Sequence, residues 1–143
     1  MNRFELLFLV AGVVMYFLGT AAGVAAVRKG ERRHLAQARL AGLLGVVYHA
    51  VFLASLGLSK GHFPVTSAFE AFVFLSMAAT AAALALDWQR GLGVLLVGIL
   101  PLAAVTSTVA FALEAVPATE AASPSAGTGS GWTALHIFTA LGS

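Results

Sequence analysis

Four long apolar runs, at 6–27, 40–58, 65–86 and 91–113, limit what this sequence can fold into. An α-helix rises about 1.5 Å per residue, so a hydrocarbon core of ~30 Å takes about 20 apolar residues. Each run meets that length to within a few residues. Inside lipid the backbone N–H and C=O groups find no water, so each run must close its own hydrogen bonds as a helix. Composition agrees: hydrophobic residues make up 59% of the chain and charged residues 10%, against about 25% charged in soluble domains. A soluble fold of this size has too little interior for so much apolar surface. The expected fold is all-α: a polytopic transmembrane helix bundle forming one integral-membrane domain over residues 1–143.

Four full spans do not exhaust the chain. A fifth apolar stretch, 132–143, begins at Trp132 and holds twelve residues, too few to cross a bilayer. It reads as the cut-short start of a fifth helix, and the chain as an incomplete N-terminal portion of a longer protein. Before it, "EAVPATEAASPSAGTGSG" (114–131) is rich in Ala, Ser, Pro and Gly and reads as a flexible external loop. The first run, 22 residues long, exceeds the ~7–15 apolar residues of a signal peptide, and its positive charge follows rather than precedes it. It is expected to remain as a membrane span.

Lys and Arg counts orient the spans. The connections after the first and third runs carry six of the eight basic residues, and the opposite side carries two. The N-terminus is therefore expected outside, with the first and third loops cytoplasmic. The basic stretch is topology information rather than a nucleic-acid footprint. The absence of cysteine excludes disulfides, thiolate metal sites and thiol redox chemistry by this chain.

Helix contacts in lipid favour small residues. Gly19 and Gly23 supply such a face on the first helix, and Gly42 and Gly45 on the second. Pro101 removes a backbone donor inside the fourth helix, and Thr106, Ser107 and Thr108 are placed to bond freed carbonyls or to face a polar interior.

Few residues are left to carry chemistry. His49, in "VVYHAVF", lies nine residues from either end of its run, roughly 14 Å from each interface. Its nitrogens need partners at that depth. Gly42, Gly45 and His49 share one helical face, which offers room for a flat ligand or a closely packed helix. Both a histidine bonded to a neighbouring helix and an axial ligand for a metal or haem fit this position. Glu70 lies about 8 Å below Val65 by helical rise. It is either an ordinary first-turn carboxylate, favoured by the helix dipole, or one that holds a loop, a cation or a propionate-binding arginine. His136 follows Trp132 by four residues and is either part of an interfacial aromatic belt or a second ligand on the outer side. His34 sits in the basic loop and reads as solvated; His62 reads as a turn residue. HExxH, CxxCH, phosphate-loop and nucleophile-elbow patterns are all absent. Without a nucleophile–base pair, an enzyme acting on lipid or peptide is disfavoured, and the chain holds no self-contained catalytic site.

The stretch "GHFPVTSAFEAFVFLS" resembles the signature of the membrane haem-handling proteins of cytochrome c assembly (the CcsA/ResC type). The resemblance rests on Gly61, Pro64, Phe69, Glu70, Phe74, Leu75 and Ser76, with Ser67 where the family usually has Asn and Phe69 where Tyr is common. The order of features supports it: His49 precedes the motif, and "WTALHI", with Trp132 and His136, follows a loop. The resemblance covers roughly residues 40–143. It implies a bundle that passes haem, bound transiently and non-covalently as b-type haem, to the outer face for attachment to apocytochrome c. A partner assembly membrane protein is implied as well. By position His49 would be the intramembrane haem ligand, His136 the external one, and Glu70 a residue that shapes the outer part of the bundle. The family's tryptophan-rich segment and its further histidines would lie beyond residue 143. The setting implied is a bacterial inner (plasma) membrane, with a plastid membrane the lesser alternative. The competing reading is a non-catalytic membrane scaffold or transporter subunit.

Because the chain lacks cysteine, single-cysteine variants test the orientation. A membrane-impermeant maleimide added to intact cells is expected to label Ser59→Cys and to spare Glu31→Cys; the reverse pattern overturns the assignment.

Overall fold

Each apolar run becomes a helix longer than the run or displaced from it, because lipid-soluble length and helix length have different causes. The computed structural model describes residues 3–61 and 63–115. It contains α1 (Arg3–Lys29), α2 (Arg32–Lys60), α3 (Ala68–Arg90) and α4 (Gly93–Ala115), with no strand among the described residues. The polar segment after α1, expected as a loop, is mostly helix: α2 starts at Arg32. Arg, Leu, Ala and Gln are good helix formers, so the helix runs on into the aqueous layer. Likewise "DWQR" forms the last turn of α3 rather than a connection. What ends the helices is glycine. Gly30, Gly61 and Gly91 sit at φ of 67°, 69° and 67°, the left-handed conformation that satisfies a helix's last carbonyls and disfavours any side chain. Their N–H groups donate to the carbonyls of Ala26, Gly57 and Asp87.

The connections are short, so consecutive helices are antiparallel neighbours. Each helix packs on the next in sequence, α4 closes back on α1, and of the two diagonals only α2 and α4 touch. All four helices are long and apolar enough to cross a membrane, with 28% to 39% of each span buried inside the bundle. The remaining apolar surface faces lipid. This is the architecture of a multi-pass membrane protein.

Two apolar clusters fill the interior. One joins Leu9, Phe52, Phe69 and Val73 near the α2–α3 turn, and the other joins Tyr16, Ala83, Leu96 and Leu100 toward the opposite end. Between them every helix contributes a small or polar residue: Gly12, His49, Ser76 and Ser107. At the far end, Arg39 of α2 and Asp87 of α3 form a two-pronged ion pair. Nε donates to Oδ2 at 2.5 Å and Nη2 to Oδ1 at 3.0 Å. Asp87 is almost wholly buried, its side chain 1% exposed, whereas Arg39 is 39% exposed.

That asymmetry gives an ordered expectation. Arg39→Ala strands a buried carboxylate and is expected to destabilise by up to about 3–5 kcal/mol. Asp87→Ala leaves an arginine that reaches water along its own stem and is expected to cost ~1 kcal/mol or less. Thermal unfolding of both variants in detergent checks the order.

Candidate functional site

His49 is fully buried at the middle of α2, with its imidazole turned toward α1. Any Cβ at Gly12 would overlap the imidazole, so α1 admits the ring only because that position is glycine. Tyr16, one turn further along α1, meets the imidazole edge-on, with ring centroids 5.0 Å apart and planes at 86°. The Tyr16 ring in turn occupies the space over Gly45 of α2, where an added Cβ would lie 2.6 Å from Cδ1. The two helices are thus interlocked: the imidazole of α2 over a glycine of α1, and the phenol of α1 over a glycine of α2. The glycine face of α2 is filled by neighbouring helices. Gly45 and His49 meet α1, and a Cβ added at Gly42 would lie 3.3 Å from Leu100 of α4. Gly19 and Gly23 of α1 pack on Leu100 and Val97.

The packing satisfies shape but not hydrogen bonding. Neither nitrogen of His49 has a hydrogen-bond partner, nor does the Tyr16 hydroxyl or the Ser107 hydroxyl. The Leu9 carbonyl faces the imidazole and Thr80 faces the Tyr16 hydroxyl, neither in hydrogen-bonding geometry. The other hydroxyls at this depth are engaged. Ser76 and Thr106 share a 2.6 Å bond between α3 and α4, and Thr80 donates to the Ser76 carbonyl. Thr106 and Thr108 bond carbonyls at 102–104, beyond the one that Pro101 deprives of its donor four residues earlier. Ser107 faces the interior.

Glu70 is fully buried, and of the readings open to it the structure shows a carboxylate that holds a turn. Ser67 is the N-cap of α3, and its hydroxyl accepts from the Glu70 N–H at 3.2 Å. Glu70 answers through Oε2, which accepts from the Ser67 N–H at 3.3 Å, the Thr66 N–H at 2.7 Å and the Thr66 hydroxyl at 3.0 Å. Its Oε1 accepts from the Lys60 ammonium at 2.5 Å. The capping box (Ser, two residues, Glu) therefore also fastens the end of α2 to the start of α3. The other residues of the stretch serve the same corner. Gly61 ends α2, Pro64 is buried, and Phe69 packs edge-on against Phe52 at 5.8 Å.

Beside that corner lies a groove of about 510 Å³ with an almost wholly apolar wall, lined by Leu53, Gly57, Phe63, Pro64, Phe74 and Met77 among others. Ala50 and Leu53 line it and His49 does not: the imidazole points to α1, and the groove lies roughly 100° round the helix. The structure thus leaves His49 and the groove on adjacent faces of α2. Trp132, His136 and His62 lie outside the described residues. Among the described residues no three His, Asp or Glu side chains converge as a metal site. No family model, curated protein or solved structure matches the chain.

The corner yields a graded expectation. Ser67→Ala removes one cap bond and is expected to cost about 1 kcal/mol. Glu70→Ala removes the carboxylate that accepts from Lys60, Thr66 and Ser67 and strands the Thr66 and Ser67 donors, and is expected to cost at least twice as much. Hydrogen exchange at the Thr66 and Ser67 amides, with thermal unfolding, reads both.

Proposed function

We infer that the chain handles haem for cytochrome c assembly in a bacterial inner membrane, with its N-terminus outside. The observation that carries this reading is His49: an imidazole at mid-membrane, fully buried, with both nitrogens unpaired. A buried polar group without a partner costs about 1–3 kcal/mol. Such a cost persists where the lone pair has a use, and histidine is a common protein ligand of haem iron, which His49 would hold through its imidazole. Donor chemistry fits the group. Space is the other requirement, and in this packing the ring is covered by Gly12 and Tyr16. Ligation thus calls for α1 to draw back from α2, or for the imidazole to turn toward the apolar groove on the next face. The bound group would supply an iron centre to be passed onward. The protein's part is to offer the imidazole, exclude water and hold the outer corner in shape through Glu70.

On this reading His136, beside Trp132, is the ligand on the outer side. The haem is b-type and transient, and the recipients are apocytochrome c and a partner assembly protein. The six basic residues at the end of α1, in the first turns of α2 and at the end of α3 support the orientation.

A second reading, a non-catalytic scaffold or transporter subunit, draws on a specific observation too. Glu70, Lys60, Arg39 and Asp87 are all spent on tying helices together. The two readings part at His49. As a ligand it is dispensable for folding: His49→Leu removes an unpaired polar group, and unfolding temperature is expected to hold or rise. Protein purified in detergent from haem-replete cells is expected to give a pyridine haemochrome signal that His49→Leu abolishes and Glu70→Ala reduces less. Absence of haem from the parent protein, together with a loss of stability in His49→Leu, would establish the scaffold.

A further inference from the structure

Most of the positive charge of the described bundle is gathered at one end. Arg28, Lys29, Arg32, Arg33, Arg39 and Arg90 share that end with two acids, Glu31 and Asp87. Both acids are engaged, Glu31 with His34 at 3.2 Å and Asp87 with Arg39. At the same end a second groove, of about 200 Å³, opens between α2 and α3, lined by Arg39, Leu40, Leu43, Leu84, Asp87 and Trp88. It differs from the wholly apolar groove near Pro64 in being layered. Its leucines lie deeper along both helices, and its ion pair and indole lie toward the basic end. Leu40 is 58% and Trp88 79% exposed, so neither wall is closed by protein among the described residues.

We propose that this groove binds an anionic glycerophospholipid, with an acyl chain along Leu40, Leu43 and Leu84 and the phosphate at the arginine rim. Three features of the molecule select that occupant. Asp87 holds Arg39 at the mouth through two of its five N–H donors, which leaves three for an anion. Helical register places Arg32 two turns before Arg39 and Arg33 two turns before Leu40, on the groove side of α2. Arg90 stands one turn past Asp87 on α3. Trp88 sits where an indole favours the boundary between acyl chains and headgroups. Basic pockets between membrane helices select anionic headgroups. The site is separate from His49 and does not depend on the haem reading.

Trp88 is its own reporter, because Trp132 is the only other tryptophan. In a Trp132→Phe background, the protein is reconstituted into vesicles of dibrominated phosphatidylglycerol mixed with plain phosphatidylcholine, and the converse. Quenching of Trp88 then gives the relative binding constant of the two lipids at the groove. The expected preference for phosphatidylglycerol is at least about fivefold. Arg32→Gln with Arg33→Gln is expected to bring it toward one, while quenching in vesicles of brominated phosphatidylcholine alone, which reports a folded and inserted helix, stays unchanged. Arg28→Gln with Lys29→Gln removes the same charge from α1, off the groove, and is expected to leave the preference intact. Three results would each overturn the site: no preference in the parent, an equal loss in both double variants, or displacement of the lipid by millimolar glycerol 3-phosphate. The second would mean diffuse surface electrostatics, and the third a site for soluble phosphate.

Discussion

In lipid, two apolar helices gain nothing by hiding side chains from the solvent, since the solvent is as apolar as they are. Association rests on how closely backbones approach and on a few polar ties. The rest of this bundle depends on that constraint. It explains why α1 and α2 meet through Gly12 and Gly45, each admitting a ring from the other helix. It also explains why α1 meets α4 through Gly19 and Gly23. With so little of each span buried, the few close contacts carry the arrangement.

The polar ties sit at the two ends. Near one end, Glu70 gathers Lys60, Thr66 and Ser67 into a single corner. At the other, Arg39 and Asp87 clasp α2 to α3. The middle layer is different. Ser76 and Thr106 tie α3 to α4 there, but Tyr16, His49 and Ser107 are buried without partners. Both end ties join α2 to α3, so that pair stays fastened while the unpaired imidazole lies between α2 and α1. The haem reading draws on the unpaired imidazole, and the scaffold reading on the end ties.

Much of this was legible in the residues. The four spans follow from run length alone, and the small-residue faces at Gly19, Gly23, Gly42 and Gly45 did become helix contacts. The capping box was visible as "SAFE" at 67–70, a Ser followed three residues later by Glu before an apolar run. "DWQR" was less legible. A charged cluster marks where a span leaves hydrocarbon, but the helix continues until a glycine takes the left-handed conformation, here at Gly91. The partner of Asp87 lies 48 residues away, a pairing that no local pattern encodes.

The sequence by itself determined that the described residues form helices, four of them, each long and apolar enough to cross a membrane. Those outcomes follow from hydrogen-bond closure and hydrophobic length, which act within one segment. Which face of α2 meets α1, that the imidazole lies over Gly12 rather than in the groove beside it, and that Glu70 reaches Lys60 were decided by the tertiary structure alone. Each depends on how one helix is rotated and set in depth against another, and that is settled by the fit of whole surfaces.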